Sequence, residues 1–236
     1  SRLGKVNVIG REIIVLKQTT STNDEIEKAA MNGHKEGLVV FAESQTHGRG
    51  RMGRRWSSPA GKGLWFSFLL RPKLAPGECT QLTAATATAL VRAIQDQTNI
   101  SPEIKWPNDL MIQGKKVAGI LTEMSAELDK VRHVIVGIGI DVNQTASEFP
   151  ADIQSTATSL KLATGKNISR TDLAITILRE LDQDYSRIVR GKFPAVADEW
   201  ASRCSTLGKQ VKIIVGRRRI IGRAEALDES GALLIR

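Results

Sequence analysis

The chain has 236 residues, of which 41% are hydrophobic and 25% charged, a size that accommodates one large domain or a medium one and a small one. No apolar run approaches the roughly 20 residues of a membrane span. The start, Ser1 to Ile9, is mixed rather than basic then apolar, and two distant cysteines, Cys79 and Cys204, are too few for a disulfide framework or a cysteine zinc site. Membrane and disulfide-scaffold classes are thereby excluded and a cytoplasmic location is expected, while the net charge of +9 favours nucleic acid, nucleotides or acidic partners.

In chain order, the Ile- and Val-rich run Glu12 to Leu16 predicts a strand. Thr19 to Asn23 is a polar cluster able to cap a helix over Asp24 to Met31, which Asn32-Gly33 would stop. Leu38 to Ala42 predicts a buried strand. A Gly- and Arg-rich loop spans Gln45 to Ser58, and LWFSFLL at 64–70 returns to strand character. The Ala/Leu pattern predicts a helix over about Gln81 to Gln97. A loop from Lys105 to Asp109 leads to two strands, near Val117 to Met124 and Val134 to Val142, with Gly114-Lys115 as the turn before the first. Leu173, Ile177, Leu181 and Tyr185 fall at helical spacing over Thr171 to Val189, with Ser169 and Thr171 as candidate caps. A shorter helix is expected over Pro194 to Arg203. From Leu207 the pattern is strand, basic turn, strand (VKIIV, GRRR, IIGRAEAL, GALLIR), a small β-domain that looks short of a full barrel.

Charge is unevenly placed. No acidic residue falls between Glu43 and Glu78, whereas Arg49, Arg51, Arg54, Arg55, Lys62, Arg71 and Lys73 do; a second basic run, Arg217 to Arg219, reads as a solvated face. The sharpest feature is Gly48-Arg49-Gly50-Arg51-Met52-Gly53-Arg54-Arg55-Trp56. Glycines let backbone approach a ligand, and arginines offer charge-assisted bonds to phosphate or carboxylate. The phosphate loop's Lys-Ser/Thr pair is missing, and so are the spacing and following helix of a dinucleotide fingerprint. By composition the loop suits nucleic acid as well as a nucleotide, or is a plain surface loop; Trp56 either stacks on a ring or belongs to the core. In Lys105-Trp106-Pro107-Asn108-Asp109 the proline holds Asn108 and Asp109 in a defined loop, or the stretch is simply a turn. Lys116 enters an apolar strand, so its ammonium needs an anion or solvent, or it sits on a hairpin edge. Ser21-Thr22-Asn23 suits a neutral amide-like ligand, although taken alone helix capping explains it better.

Taken together and in this order, STN at 21–23, Gln45 before GRGRMGRRW, KWPNDL at 105–110, GKKVAGILTE at 114–123 and VGIGIDVN at 136–143 closely resemble the biotin protein ligases over most of residues 12–145. The resemblance implies an α/β (α+β) fold. It comprises a mixed-sheet catalytic domain over 1–204, like class II aminoacyl-tRNA synthetases and lipoate ligases, and a small SH3-like β-barrel domain over 205–236. It implies activation of biotin with ATP to biotinyl-AMP, release of pyrophosphate, and transfer of biotin to a lysine of a biotin carboxyl carrier protein or domain. Mg2+ is expected with ATP, held mostly by phosphate oxygens, with no protein ligands assigned.

Carried over by residue, Ser21, Thr22, Asn23 and Gln45 would hold the biotin ring, and Gly48, Arg49, Gly50 and Gly53 would belong to a loop that orders over it. Arg51 would bind the carboxylate and phosphate region. Lys116 would contact the α-phosphate and biotin carbonyl, with Arg54, Trp56, Asn108 and Asn143 around the adenylate. Asp109 would orient the attacking lysine or receive its proton. Arg51, Lys116, Asp109 and Asn108 are thus the expected catalytic set. The pattern begins near residue 12 and leaves no room for the winged helix-turn-helix of some members, so no DNA partner is expected; a homodimer is admitted. Asp141 stands where the strand motif leads one to expect Asn. Lipoate or octanoyl transfer on the same fold, and a nucleic-acid-binding module, are the rival readings.

Overall fold

The computed structural model describes residues 2–216 and 218–236. Arg217, in the second basic run, lies outside the described residues. Seven strands form one mixed sheet in the order β1-β2-β3-β7-β6-β5-β4. They are β1 (Glu12–Leu16), β2 (Leu38–Ala42), β3 (Gly63–Leu70), β4 (Glu103–Lys105), β5 (Asp109–Ile112), β6 (Lys115–Glu127) and β7 (Lys130–Asp141). β1 and β2 are parallel, joined by helix α1 (Thr22–Met31), as a parallel pair requires a crossover. The remaining neighbours are antiparallel. The β5–β6 hairpin turns on Gln113 and Gly114 at φ 50° and 76°, both left-handed as the tight two-residue turn demands.

Strand alternation explains how the sheet makes a site. On β7, Val134, Val136, Ile138 and Ile140 face the main core, which they share with Leu64, Phe66, Phe68 and Leu70 of β3. This face is covered by α2 (Thr80–Thr98), α4 (Arg170–Val189) and α5 (Phe193–Arg203). The opposite face carries Ile135, which packs under α1 with Leu38, Val40, Leu69 and Ile26. Two residues at a time along that same face, β7 then presents Gly137, Gly139 and Asp141. No helix covers this stretch among the described residues; it is the floor of a cleft.

The amino-terminal segment is tied to α4 by one carboxylate: Asp182 accepts hydrogen bonds from the backbone N–H groups of Asn7, Val8 and Ile9 at 2.7–2.9 Å. The helix α4 begins under a Ser169 cap; Thr171 lies inside it. A short helix α3 (Leu160–Thr164) and the strands β4 and β5 are additions to the sequence expectation. After α5 come β8 (Gln210–Val215), β9 (Arg218–Leu227) and β10 (Leu233–Ile235), an antiparallel sheet in the order β10-β9-β8. It is fastened to the start of α2 by Gln81 Nε2 donating to the Glu229 carbonyl at 2.8 Å and by the Thr80 hydroxyl donating to the Ser230 carbonyl. Just before it, Thr206 Oγ1 accepts from the Trp106 backbone N–H at 3.0 Å.

Candidate active site

The cleft holds about 310 Å³ and is lined by the start of α1, the Gly/Arg loop, the Asn108-Asp109 corner, the middle of β6 and β7, and the segment 148–157. Its floor is flat because two register partners, Gly119 and Gly139, lack side chains. Trp56 lies across them: a Cβ on Gly139 would come within 2.5 Å of the indole, and one on Gly119 within 3.0 Å. Trp56 is therefore neither an isolated surface ring nor a core residue. Its Nε1 is buried with no hydrogen-bond partner among the described residues. Gly137 plays the same part for Asn23, whose Oδ1 occupies the space of its absent Cβ.

One end of the cleft is a neutral polar network. The Gln45 Oε1 accepts from the Thr22 backbone N–H at 2.8 Å, and Gln45 Nε2 donates to Ser58 Oγ at 2.9 Å. The Thr22 and Ser67 hydroxyls meet at 2.7 Å, and Ser67 donates to Asn23 Oδ1 at 2.5 Å. Asn23 Nδ2 then donates to Glu123 at 2.6 Å. Ser21 is the residue before α1, but its side chain makes no capping bond. The STN stretch thus builds the cleft wall and not a conventional helix cap.

The other end is charged. Lys116 Nζ lies 2.6 Å from Asp109 Oδ1 and 5.0 Å above the Trp56 ring. Asn108 is fixed twice to Ile120, its amide donating to the Ile120 carbonyl at 2.6 Å and its carbonyl accepting from the Ile120 N–H at 2.9 Å. Arg51 reaches Asn108 Oδ1 at 3.5 Å, and Arg54 and Arg55 line the same end. The loop doubles back on itself, Trp56 N–H donating to the Gly48 carbonyl at 2.8 Å, through Met52 and Gly53 at φ 58° and 72°.

Three expected residues are placed differently. Gly48 is not in the cleft lining; a Cβ there would meet the Trp56 carbonyl at 2.5 Å, so its smallness serves the loop's own packing. Arg49 borders the cleft, but its guanidinium pairs with Asp24 at 2.6 Å and Glu123 at 3.4 Å, clasping the loop to α1 and β6. Asn143 lies outside the lining: its amide donates to the Ile168 carbonyl and accepts from the Ile168 N–H, both at 2.9 Å. Conversely, Gly119, Gly137, Gly139, Ser67, Glu123 and Gln144 escaped the motif reading. The alternating glycines of VGIGID were the available signal, since a glycine inside a strand marks a close approach. Asp141 is buried and accepts from Gln144 Nε2. Burial pushes its carboxyl well above the usual carboxylate range, against the Gln144 hydrogen bond and the charge of Lys116.

Such a cleft, with a neutral hydrogen-bonding end, a stacking ring and a cationic end, is that of a ligase that activates an acid on a nucleotide. Residues 15–141 match the biotin/lipoate A/B protein ligase family and residues 206–236 the biotin protein ligase C terminal domain. The bifunctional ligase/repressor BirA of Bacillus subtilis is 39% identical over 98% of this chain and 71% of its own length. The biotin--[acetyl-CoA-carboxylase] ligase of Paracoccus denitrificans is 32% identical over 94% of this chain and 93% of its own. Among solved structures, the biotin protein ligase from Aquifex aeolicus in complex with biotin and ATP superposes with a TM-score of 0.81 at 35% identity, covering 95% of this chain and 91% of that one. The chain belongs to the biotin/lipoate A/B protein ligase family, and within it to the biotin protein ligases.

Proposed function

We propose that this cleft performs both halves of biotin ligation, with the ring of biotin at the neutral end and the adenylate between Trp56 and the cationic end. The chain is an ATP-dependent biotin protein ligase and its partner is a biotin-accepting carboxylase; what is proposed is the role of each residue. The carrying observation is that one cavity brings Thr22, Gln45, Arg51, Trp56, Asn108, Asp109 and Lys116 together from four separate stretches of chain.

The ureido group of biotin is neutral, so it calls for amide and hydroxyl partners, which Ser21, Thr22, Asn23 and Gln45 supply without burying a charge. The biotin carboxylate attacks the α-phosphate, the bond to pyrophosphate breaks, and charge spreads over the phosphate oxygens. Arg51 and Lys116 stabilise that charge where it develops. Arg54 and Arg55 add positive potential at the same end. Closure of the Gly/Arg loop then shields the mixed anhydride from water. In the second half the acceptor lysine, after losing a proton toward Asp109, attacks the acyl carbon and AMP departs. No group of three or more metal-ligating side chains exists among the described residues; Mg2+ fits as an ion carried by the triphosphate, with Asn108 as a protein oxygen, and would neutralise phosphate charge. We place the domain boundary between residues 204 and 205, where α5 gives way to the small sheet, and the reaction in the cytoplasm. Among the described residues no helix is long and apolar enough to cross a membrane.

Biotin-dependent exchange of labelled pyrophosphate into ATP tests this. Exchange that requires biotin and collapses in Arg51→Ala and Lys116→Ala is expected. Folded protein that binds biotin with no exchange would refute the assigned cationic end, and lipoate competing with biotin for the cleft would redirect the substrate.

A further inference from the structure

We propose that Lys116 occupies, in the free enzyme, the place later taken by the acceptor lysine, so that forming the adenylate is what opens that place. The inference rests on the ligase reading above and adds an order to it. The Lys116 ammonium lies 2.6 Å from Asp109 Oδ1 and 5.0 Å above the Trp56 ring. Asp109 Oδ1 is buried and accepts no hydrogen bond among the described residues, so its contact with the Lys116 ammonium is an ion pair that leaves its acceptor capacity unused. A carboxylate and an aromatic face together form a subsite for a primary ammonium. A second ammonium, that of an incoming lysine, has the same chemistry and needs the same two partners.

The backbones of Asp109 and Lys116 are both fixed, so the two ammoniums compete for the one buried oxygen, Asp109 Oδ1. Asp109 follows Asn108, which is bonded twice to Ile120, and its strand pairs with β6 at Gly119. The Lys116 backbone is gripped by the 156–158 segment, its N–H donating to the Thr156 carbonyl and its carbonyl accepting from the Thr158 N–H, both at 2.8 Å. With the main chains held, the long side chain of Lys116 is the part that can swing away. Once an α-phosphate enters the cleft it draws the ammonium away from Asp109, toward the larger negative charge. Asp109 is then free, and the Trp56 face with it.

The proton and electron balance follows. The acceptor lysine arrives as an ammonium and gives one proton to the Asp109 carboxylate. Its freed lone pair forms the N–C bond to the biotinyl carbonyl. The C–O bond of the mixed anhydride breaks, AMP leaves with that electron pair, and the second proton on the new N–C nitrogen passes to the departing phosphate, leaving the neutral amide. Asp109 later returns the proton to solvent, and Lys116, released with AMP, closes on it again.

The test is acceptor affinity, measured by fluorescence anisotropy with the intact chain and its biotin-accepting carboxylase domain. Wild type should gain roughly fivefold in affinity when loaded with a non-reactive biotinyl-AMP analogue, the range of a partly exposed ion pair. Free Lys116→Met, and the second variant Lys116→Gln, should already show the loaded affinity. Asp109→Asn should show no gain on loading, and neither should an acceptor whose target lysine is methionine. Unchanged affinity in both Lys116 variants, or an equal gain with the lysine-less acceptor, would overturn the proposal. Biotin-dependent pyrophosphate exchange by wild type is run alongside: its absence indicts the ligase reading, while its presence with a failed affinity pattern indicts only the exchange of partners at Asp109.

Discussion

Two sets of arginines lie on opposite faces of the same sheet and have opposite surroundings. Behind it, Arg92 of α2 is met by Glu180 at 2.6 Å, Asp184 at 2.8 Å and Glu199 at 2.5 Å, while Arg187 bonds Asp184 and Glu199 in turn. Desolvation works against the charge of Arg92, and the hydrogen bonds it donates to Glu180, Asp184 and Glu199, with the charge of Asp184, overcome it, raising its pKa. In front, Arg51, Arg54 and Arg55 are exposed at the cleft, and none has a carboxylate within ion-pair distance among the described residues. A cation surrounded by carboxylates holds helices together. A cation left without one is poised for an anion that comes and goes.

The sharpest way to break this contrast is to remove one arginine from each set. Arg51→Ala should lower biotin-dependent pyrophosphate exchange about 100- to 1000-fold, the usual loss for a donor that meets transition-state charge, with thermal stability unchanged. Arg92→Ala should do the reverse: a loss of roughly 2–4 kcal/mol in urea unfolding, since buried Asp184 is left with Arg187 alone and Glu180 with no cation among the described residues, and unaltered exchange at temperatures where the variant stays folded. Equal effects on both measurements in either variant would erase the distinction.

Gly139→Ala sharpens it further, because its methyl would strike the Trp56 ring. Overpacking of this kind costs about 1–3 kcal/mol, and here it should appear as a raised KM for ATP with biotin affinity kept. Asp141 supplies a pH test. Its folded pKa is raised by burial, so the folded protein holds this proton more tightly than the unfolded chain. Stability is therefore full below the unfolded value and drains as pH rises from about 4 upward through the raised folded value. Asp141→Asn should abolish that decline, its Tm advantage over wild type widening toward neutral pH. The smallest effect is expected from Arg132→Ala, whose exposed pairing with Glu127 should be worth within about 0.5 kcal/mol.

Much of this fold was legible because local pattern and tertiary placement agree. LVVFA is β2 to the residue, since a short apolar run between polar flanks has little else to be. The periodic helices α2 and α4 lie within one residue of expectation at each end. β5 was hidden because Asp109–Ile112 is four residues long and continues a turn-rich loop, so only its partners β4 and β6 make it a strand. In the cleft, the motif residues Arg51, Asn108, Asp109 and Lys116 do converge. Asn143 does not, because a side-chain amide serves a loop carbonyl as readily as a ligand, and sequence does not say which it meets first. The glycine floor went unread for the opposite reason: Gly119 and Gly139 act by what they lack, and their meaning is set by a tryptophan far away in the chain.

The grip of residues 156–158 on the Lys116 main chain also sets a clock. With its backbone fixed, Lys116 changes partners by side-chain rotation, on a scale of picoseconds to nanoseconds. The Gly/Arg loop has to move many backbone torsions and break the Arg49 clasp to Asp24 and Glu123, which belongs to nanoseconds or microseconds. The handover at Asp109 is thus expected to be the faster of the two motions.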